Sequence, residues 1–267
     1  MTIPEDAESP SDGARIAVAI PCFNEAAAIG AVVAQFRAAL PGAEIVVFDN
    51  NSTDGTGAIA RGLGVRVVDV PEQGKGHAVR SAFATLADVD VIVLTDGDGT
   101  YPAEAAPTLV APVLDGSVDM TVGARQPVPG AEAMTFTRGV GNRLIRAAFR
   151  ILIGPGTTDL LSGYRAFSRR FRAEVRLRAP GFEIEAELAS EAVARRLRVL
   201  EISIPYHHRI AGTQSKLRAF RDGRRILATI VMQGARLRPL RLLLLCAIMC
   251  GVLAVTVHWA LTAIGLL

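Results

Sequence analysis

Val89–Thr95 (VDVIVLT), followed by Asp96-Gly97-Asp98-Gly99, constrains this chain more than any other stretch. A near-continuous apolar, β-branched run predicts a strand covered on both faces, the environment of a parallel sheet. Two carboxylates then stand at i and i+2, each followed by a glycine. The carboxyl end of a parallel strand is where an α/β sheet places its ligand. Asp-x-Asp offers hard oxygens suited to Mg²⁺ or Mn²⁺ that also holds a diphosphate. The glycines let backbone approach that ligand closely. A plain Asp-Gly turn is the competing reading, so the rest of the chain has to decide.

Strand and helix signals alternate on either side of this run. Arg15–Ile20 predicts a strand that Pro21 ends, with Asn24 capping a helix that carries Ile29, Val32, Val33 and Phe36 at helical spacing. Glu44–Phe48 and Val65–Val70 predict strands around a helix near Gly57–Leu63. Gly74-Lys75-Gly76 opens a helix through Leu86, Pro102–Leu114 predicts another, and Asp119–Gly123 a fifth strand. The alternation predicts an α/β fold with a doubly wound, mostly parallel sheet. The second half is less regular. A helix is expected over Gly141–Ile153, a hydroxyl-rich loop over Thr157–Tyr164, a glutamate-bearing segment over Phe182–Val193, and a strand over Val199–Pro205. Tyr206–Lys216 reads as a basic loop and Leu217–Arg238 as an amphipathic helix, with Leu217, Phe220, Leu227, Ile230 and Val231 on one side. Arg224 falls in that stripe and would have to snorkel, which suits a membrane surface.

Charge is segregated. Residues 1–14 hold four acids and no base, predicting a disordered tail without the apolar segment of a secretory signal. Arg209–Arg241 holds nine Lys/Arg against one acid, Asp222. Leu242–Leu267 then has no Asp, Glu, Lys or Arg. At about 1.5 Å per residue it exceeds the roughly 30 Å hydrocarbon core, so one transmembrane helix is expected. A buried core helix is the alternative. The division is therefore a tail (1–14), an α/β domain (15–210), a basic loop with an interfacial helix (211–239) and a span (240–267). Cys22, Cys246 and Cys250 lack metal-ligand spacing, which points to a reducing compartment. The basic segment directly precedes the span and lacks interleaved aromatics, so no nucleic-acid partner is expected.

Three polar loops, Pro21–Glu25, Asp49–Asp54 and Asp96–Asp98, fall at strand ends around one predicted crevice. The first two could recognise a nucleoside and the third hold the metal. No G-x-G-x-x-G follows the first strand, and Gly74-Lys75-Gly76 is not a P-loop. Lys75 reads either as a phosphate contact or as an exposed turn lysine. The ordered set Ile20-Pro-Cys-Phe-Asn-Glu25, Val47–Thr56, Gly74-Lys-Gly76, Asp96-Gly97-Asp98, Val122-Gly-Ala-Arg125, Ser162-Gly-Tyr-Arg165 and Ser215-Lys-Leu217 resembles inverting nucleotide-sugar glycosyltransferases. It is most similar to dolichyl- and polyprenyl-phosphate sugar synthases.

That resemblance implies the GT-A fold, a divalent metal (Mg²⁺ or Mn²⁺) and a GDP- or UDP-sugar donor. By it, Pro21, Phe23, Glu25, Phe48, Asp49 and Asn50 are nucleoside contacts. Asp96, Gly97 and Asp98 form the metal and diphosphate site, with Asp98 catalytic. Arg125, Arg209 and Lys216 contact the donor, and Glu187 is the acceptor-side acid. Asp49-Asn50 and Thr100 depart from the family's usual residues. The expected reaction moves a sugar to a polyprenyl phosphate with inversion, on a membrane-bound protein in contact with lipid. Alternatives are a hydroxyl acceptor, for which a glutamate would act as base, and a non-catalytic nucleotide binder. The sequence is compatible with a homo-oligomer. Arg236, Arg238 and Arg241 precede the span and no Lys or Arg follows it, so the catalytic domain is expected on the cytoplasmic side.

Overall fold

The computed structural model describes residues 13–127, 136–213, 216 and 219–263. Seven strands form one sheet: β1 Ile16–Cys22, β2 Glu44–Asp49, β3 Arg66–Asp69, β4 Val91–Leu94, β5 Met120–Pro127, β6 Arg165–Ser168 and β7 Val199–Tyr206. Their order is β3-β2-β1-β4-β6-β5-β7. All pairings are parallel except those of β6, which runs antiparallel to both β4 and β5. The helices are α1 Ile29–Ala39, α2 Thr56–Gly62, α3 Lys75–Thr85, α4 Ala106–Leu114, α5 Phe136–Leu152, α6 Arg169–Glu174, α7 Ile184–Ala194, α8 Ala219–Leu237 and α9 Pro239–Ala263. The tail expected over residues 1–14 falls on residues outside the described set up to position 12, as do Ser215, Leu217 and residues 264–267 of the expected span.

Strand side chains alternate between two cores. Ile16, Val18 and Ile20 of β1 join Ile29, Val32 and Phe36 of α1 and Leu109 and Val110 of α4. Ala17 and Ala19 join Val79 and Ala82 of α3, Phe171 of α6, and Ile184 and Leu188 of α7. The β4 residues are all buried, as the apolar run predicts. A third core joins Ile145 and Phe149 of α5, Ala186 and Ala189 of α7, and Ile226 and Ile230 of α8. Gly234 lets α8 come close, since a Cβ there would lie 3.1 Å from the Leu152 Cβ.

Several local expectations change. Pro21 does not end β1, which runs on to Cys22. Thr95 N donates to Ala19 O and Asn50 N to Cys22 O, so odd residues of β1 face β4. Pro21 faces that side beyond the end of β4, where its missing N–H loses no ladder bond. Asn24 does not cap α1; Ala28 stands there without a side-chain bond. Asn24 instead adopts a left-handed backbone (φ 54°) and accepts from Thr53 N at 2.8 Å, tying the first two loops together. β6 and α6 lie where no regular element was expected. The first residue of β6, Arg165, is fully buried, and its guanidinium donates to Leu160 O and Ser162 O, folding the loop before it.

The stripe expected on α8 splits. Ile230 is buried, whereas Phe220, Leu227, Val231 and Met232 are exposed, as are Leu144 and Ile151 on α5. Among the described residues of α9 none is buried, and Pro239–Trp259 is long and apolar enough to cross a membrane.

Candidate active site

A crevice of about 800 Å³ opens at the carboxyl ends of β1, β2 and β4. Pro21, Phe23, Glu25, Asn50, Asp96, Gly97 and Asp98 from the three loops line it, together with Arg209 and Lys216 of the basic loop. β1 and β4 approach so closely there that a Cβ on Gly97 would sit 2.6 Å from Cys22 Sγ.

Asp98 is 3% exposed. Its Oδ1 accepts from Thr100 N at 3.1 Å and from Thr100 Oγ1 at 2.7 Å. Thr100 thus clamps the carboxylate from two positions along. Asp98 also pairs with Arg209. Arg209 reaches it because the basic loop is stitched to the aspartate loop: His207 N donates to Thr100 O, and Ile210 N to Asp98 O. Asp96 is the more open of the two, its side chain 28% exposed, and it meets Lys75 Nζ at 2.5 Å. The same ammonium meets Glu185 at 2.7 Å, with only 10% of the lysine side chain exposed. Lys75 is therefore not an exposed turn residue. Burial alone would lower its pKa, but Asp96 and Glu185 outweigh burial and hold it well above the ordinary lysine range. Gly76 fixes this end of α3, because a Cβ there would lie 1.9 Å from Ala179 O.

At the nucleoside end, Asn50 lines the crevice with its amide fully used. It donates to Val70 O and Glu72 O and accepts from Gly74 N at 2.6 Å, so it holds the loop that presents Lys75. Lys216 donates to Asn24 O at 3.0 Å and lies 3.9 Å from Glu25. Burial pushes the Glu25 carboxyl from 4.5 up to about 7, with Lys216 pulling the other way and Asp98 adding to the rise. The folded protein holds this proton more tightly than the unfolded chain does, so Glu25 lowers stability as pH rises from 4.5 to about 7. Glu25→Gln is expected to melt above wild type at pH 8 and to melt alike below pH 4.5. An equal gap at both pH values would count against that assignment.

Four expected site residues do not line the crevice. Phe48 is fully buried in the sheet core, on the same face as Val46. Asp49 accepts from Ser52 N and shapes its own loop. Arg125 is held bidentately by Asp159, at 2.6 and 2.7 Å, and lies over the Tyr206 ring. Glu187 is 3% exposed. One of its oxygens accepts from Arg178 N and Ala179 N, the other from Gln233 Nε2. The glutamates of α7 are buried.

Two residues that the sequence reading did not place in the site, Arg221 and Arg225, line the crevice and bring α8 to it. Glu185 stands behind the wall and anchors Lys75. The four-residue spacing of those arginines on an amphipathic helix is the signal that could have found them.

Among the described residues no group of three or more His, Cys, Asp or Glu could hold a metal ion. Asp96 and Asp98 supply two hard carboxylates, which suits Mg²⁺ or Mn²⁺ completed by water and substrate phosphate.

Comparison with known proteins gives the same picture. The glycosyl transferase family 2 signature matches residues 17–175. Glycosyltransferase AglJ of Haloferax volcanii is 35% identical over 225 residues, 84% of this chain and 74% of that one. The dolichyl-phosphate hexose transferase of the same organism is 34% identical over 216 residues, 81% of this chain and 92% of that one. Among solved structures, glucosyl-3-phosphoglycerate synthase from Mycobacterium tuberculosis with Mn²⁺, UDP and glucosyl-3-phosphoglycerate superposes with a TM-score of 0.72 at 25% identity. That likeness covers 88% of this chain and 86% of the other. That synthase has also been solved with Mg²⁺ and UDP. The sheet order, the crevice and these likenesses agree: the chain is a GT-A-fold member of glycosyl transferase family 2.

Proposed function

We propose that this protein transfers a sugar from a nucleotide-sugar donor to a polyprenyl phosphate, with inversion and with Mg²⁺ or Mn²⁺ bound. The observation that carries the reading is α8. This helix places Arg221 and Arg225 in the crevice and carries Arg236 in its last turn, with Arg238 alone separating it from the apolar α9. A phosphate on a membrane-embedded chain could therefore meet the donor while its lipid stays in the bilayer. The names of two relatives, a dolichyl-phosphate hexose transferase and a polyprenol monophosphomannose synthase from Mycolicibacterium smegmatis, support it.

In this reading Pro21, Phe23 and Glu25 border the nucleoside. Asp96 and Asp98 hold the cation, which neutralises charge on the departing nucleoside diphosphate. Arg209 and Lys216 bind the phosphates. The acceptor phosphate oxygen is already ionised near neutral pH, since its second pKa is about 6, and attacks the anomeric carbon opposite the leaving group. No protein base is then required. Glu187, with both oxygens committed to hydrogen bonds, is assigned to positioning rather than proton transfer. Exposed Arg143, Arg146 and Arg150 on α5, and exposed Arg224 on α8, sit among exposed apolar residues suited to an anionic lipid surface. By the positive-inside rule, the basic flank before α9 supports a catalytic domain on the cytoplasmic side.

The test is sugar transfer into the organic phase by the full chain in detergent, using a panel of GDP- and UDP-sugars with polyprenyl phosphate, in Mn²⁺ and in chelator. Transfer only to soluble hydroxyl acceptors would replace this reading, and nucleotide binding without turnover would end it. Removing residues 242–267 is expected to leave nucleoside diphosphate binding intact and to depress transfer to long-chain acceptors. Equal transfer with and without the segment would detach it from acceptor delivery.

A further inference from the structure

We propose that Lys75 is an internal counter-ion standing at the carboxylate pair, and that Glu185 is a positioning residue that takes Lys75 from Asp96 when a divalent cation arrives. The proposal rests on reading Asp96 and Asp98 as metal ligands. Both carry a side-chain cation here, Lys75 on Asp96 and Arg209 on Asp98. The two cations differ in what holds them. Arg209 comes from a half-exposed loop, whereas Lys75 starts α3 and is nearly enclosed. A cation approaching Asp96 repels the ammonium, which cannot simply swing into water from that position.

Glu185 supplies the alternative seat. It is 3% exposed, in the first turn of α7. Its Oε1 is already 2.7 Å from Lys75 Nζ. Its Oε2 is buried and has no hydrogen-bond partner among the described residues. That second oxygen can accept another of the three ammonium hydrogens once Asp96 is withdrawn. The backbone at Gly163 closes the remaining side: a Cβ there would lie 2.7 Å from Lys75 Nζ and 2.9 Å from an Asp96 oxygen. Lys75 is thus confined to a short path between two carboxylates. In the unloaded crevice it pairs with both, so that neither acid stands without a cation. In the loaded crevice Glu185 keeps the ammonium paired and leaves Asp96 free for the cation.

The experiment measures Mn²⁺ binding to the full chain in detergent, without donor, from the electron paramagnetic resonance signal of free Mn²⁺. Lys75→Met removes the competing cation and is expected to tighten Mn²⁺ by about tenfold or more. Glu185→Gln leaves Lys75 with Asp96 alone and is expected to weaken it by a similar factor. In the K75M/E185Q double variant most of the E185Q loss should vanish, because Glu185 acts through Lys75. A purely structural role would weaken binding in every variant, so K75M binding no tighter than wild type overturns the proposal. An equal E185Q loss in both backgrounds overturns it as well. If K75M fails to fold, E185Q alone decides, and unchanged affinity there rejects the assignment. Wild-type binding with no difference among variants removes only the counter-ion role. Absence of Mn²⁺ binding in wild type and all variants removes Asp96 and Asp98 as ligands, and the proposal with them.

Discussion

Asp98→Asn is expected to lower turnover by roughly 10²- to 10³-fold or more, the scale of losing one preorganised electrostatic stabiliser. The substitution keeps shape: the remaining oxygen can still accept from Thr100 N and Oγ1, which wild-type Asp98 does at 3.1 and 2.7 Å. It removes the charge that faces Arg209 and that would face a cation. The two effects are separable by measurement. Thermal melting should move by only a few degrees, because the loop clamp survives. The initial rate of nucleoside diphosphate release should collapse at all Mn²⁺ concentrations. Full activity in the variant, or wild-type activity that persists in excess chelator, would show that the carboxylate pair does not hold a metal.

Glu187→Ala is expected to act on stability first. It would strand the N–H groups of Arg178 and Ala179, now bonded at 2.8 and 2.7 Å, together with the Gln233 amide at 3.3 Å. Each stranded buried donor costs about 1–3 kcal/mol, so a loss of several kcal/mol and a clear drop in melting temperature follow. Glu187→Gln retains an acceptor for the backbone pair and an amide that can face Gln233, so it should be mild in stability. Its rate should keep the wild-type pH profile. A vanished acidic limb in that profile would make Glu187 a proton acceptor, and with it favour a hydroxyl substrate.

How much of this was legible depends on which forces set each feature. The buried strand Val91–Leu94 and the crevice at its end follow from period and composition, and both stand where the sequence puts them. Glu25, Asp96, Asp98, Arg209 and Lys216 share one crevice because their loops share one sheet edge. Phe48 and Asp49 show the limit of motif matching, since a strand turns successive side chains to opposite faces and only Asn50 emerges at the wall. β6 was not legible because a four-residue strand with a buried arginine has no strand signature of its own. Its place is fixed by the β4 and β5 edges that it joins. The burial of the α7 glutamates was not legible because two of their partners, Lys75 and Gln233, are remote in sequence.

The antiparallel β6 has a consequence for how the chain comes off the ribosome. β3, β2, β1 and β4 are all encoded within residues 16–94 and can pair as soon as they emerge. β5 follows at residue 120 but touches that half of the sheet only through β6, which begins at residue 165. Domains assemble vectorially during synthesis, so the edge of β4 waits for some seventy further residues. The four residues of β6 then zip the two blocks together. Only after that do α8 and α9 appear, so a nascent chain can close its sheet before its most apolar segment meets the insertion machinery.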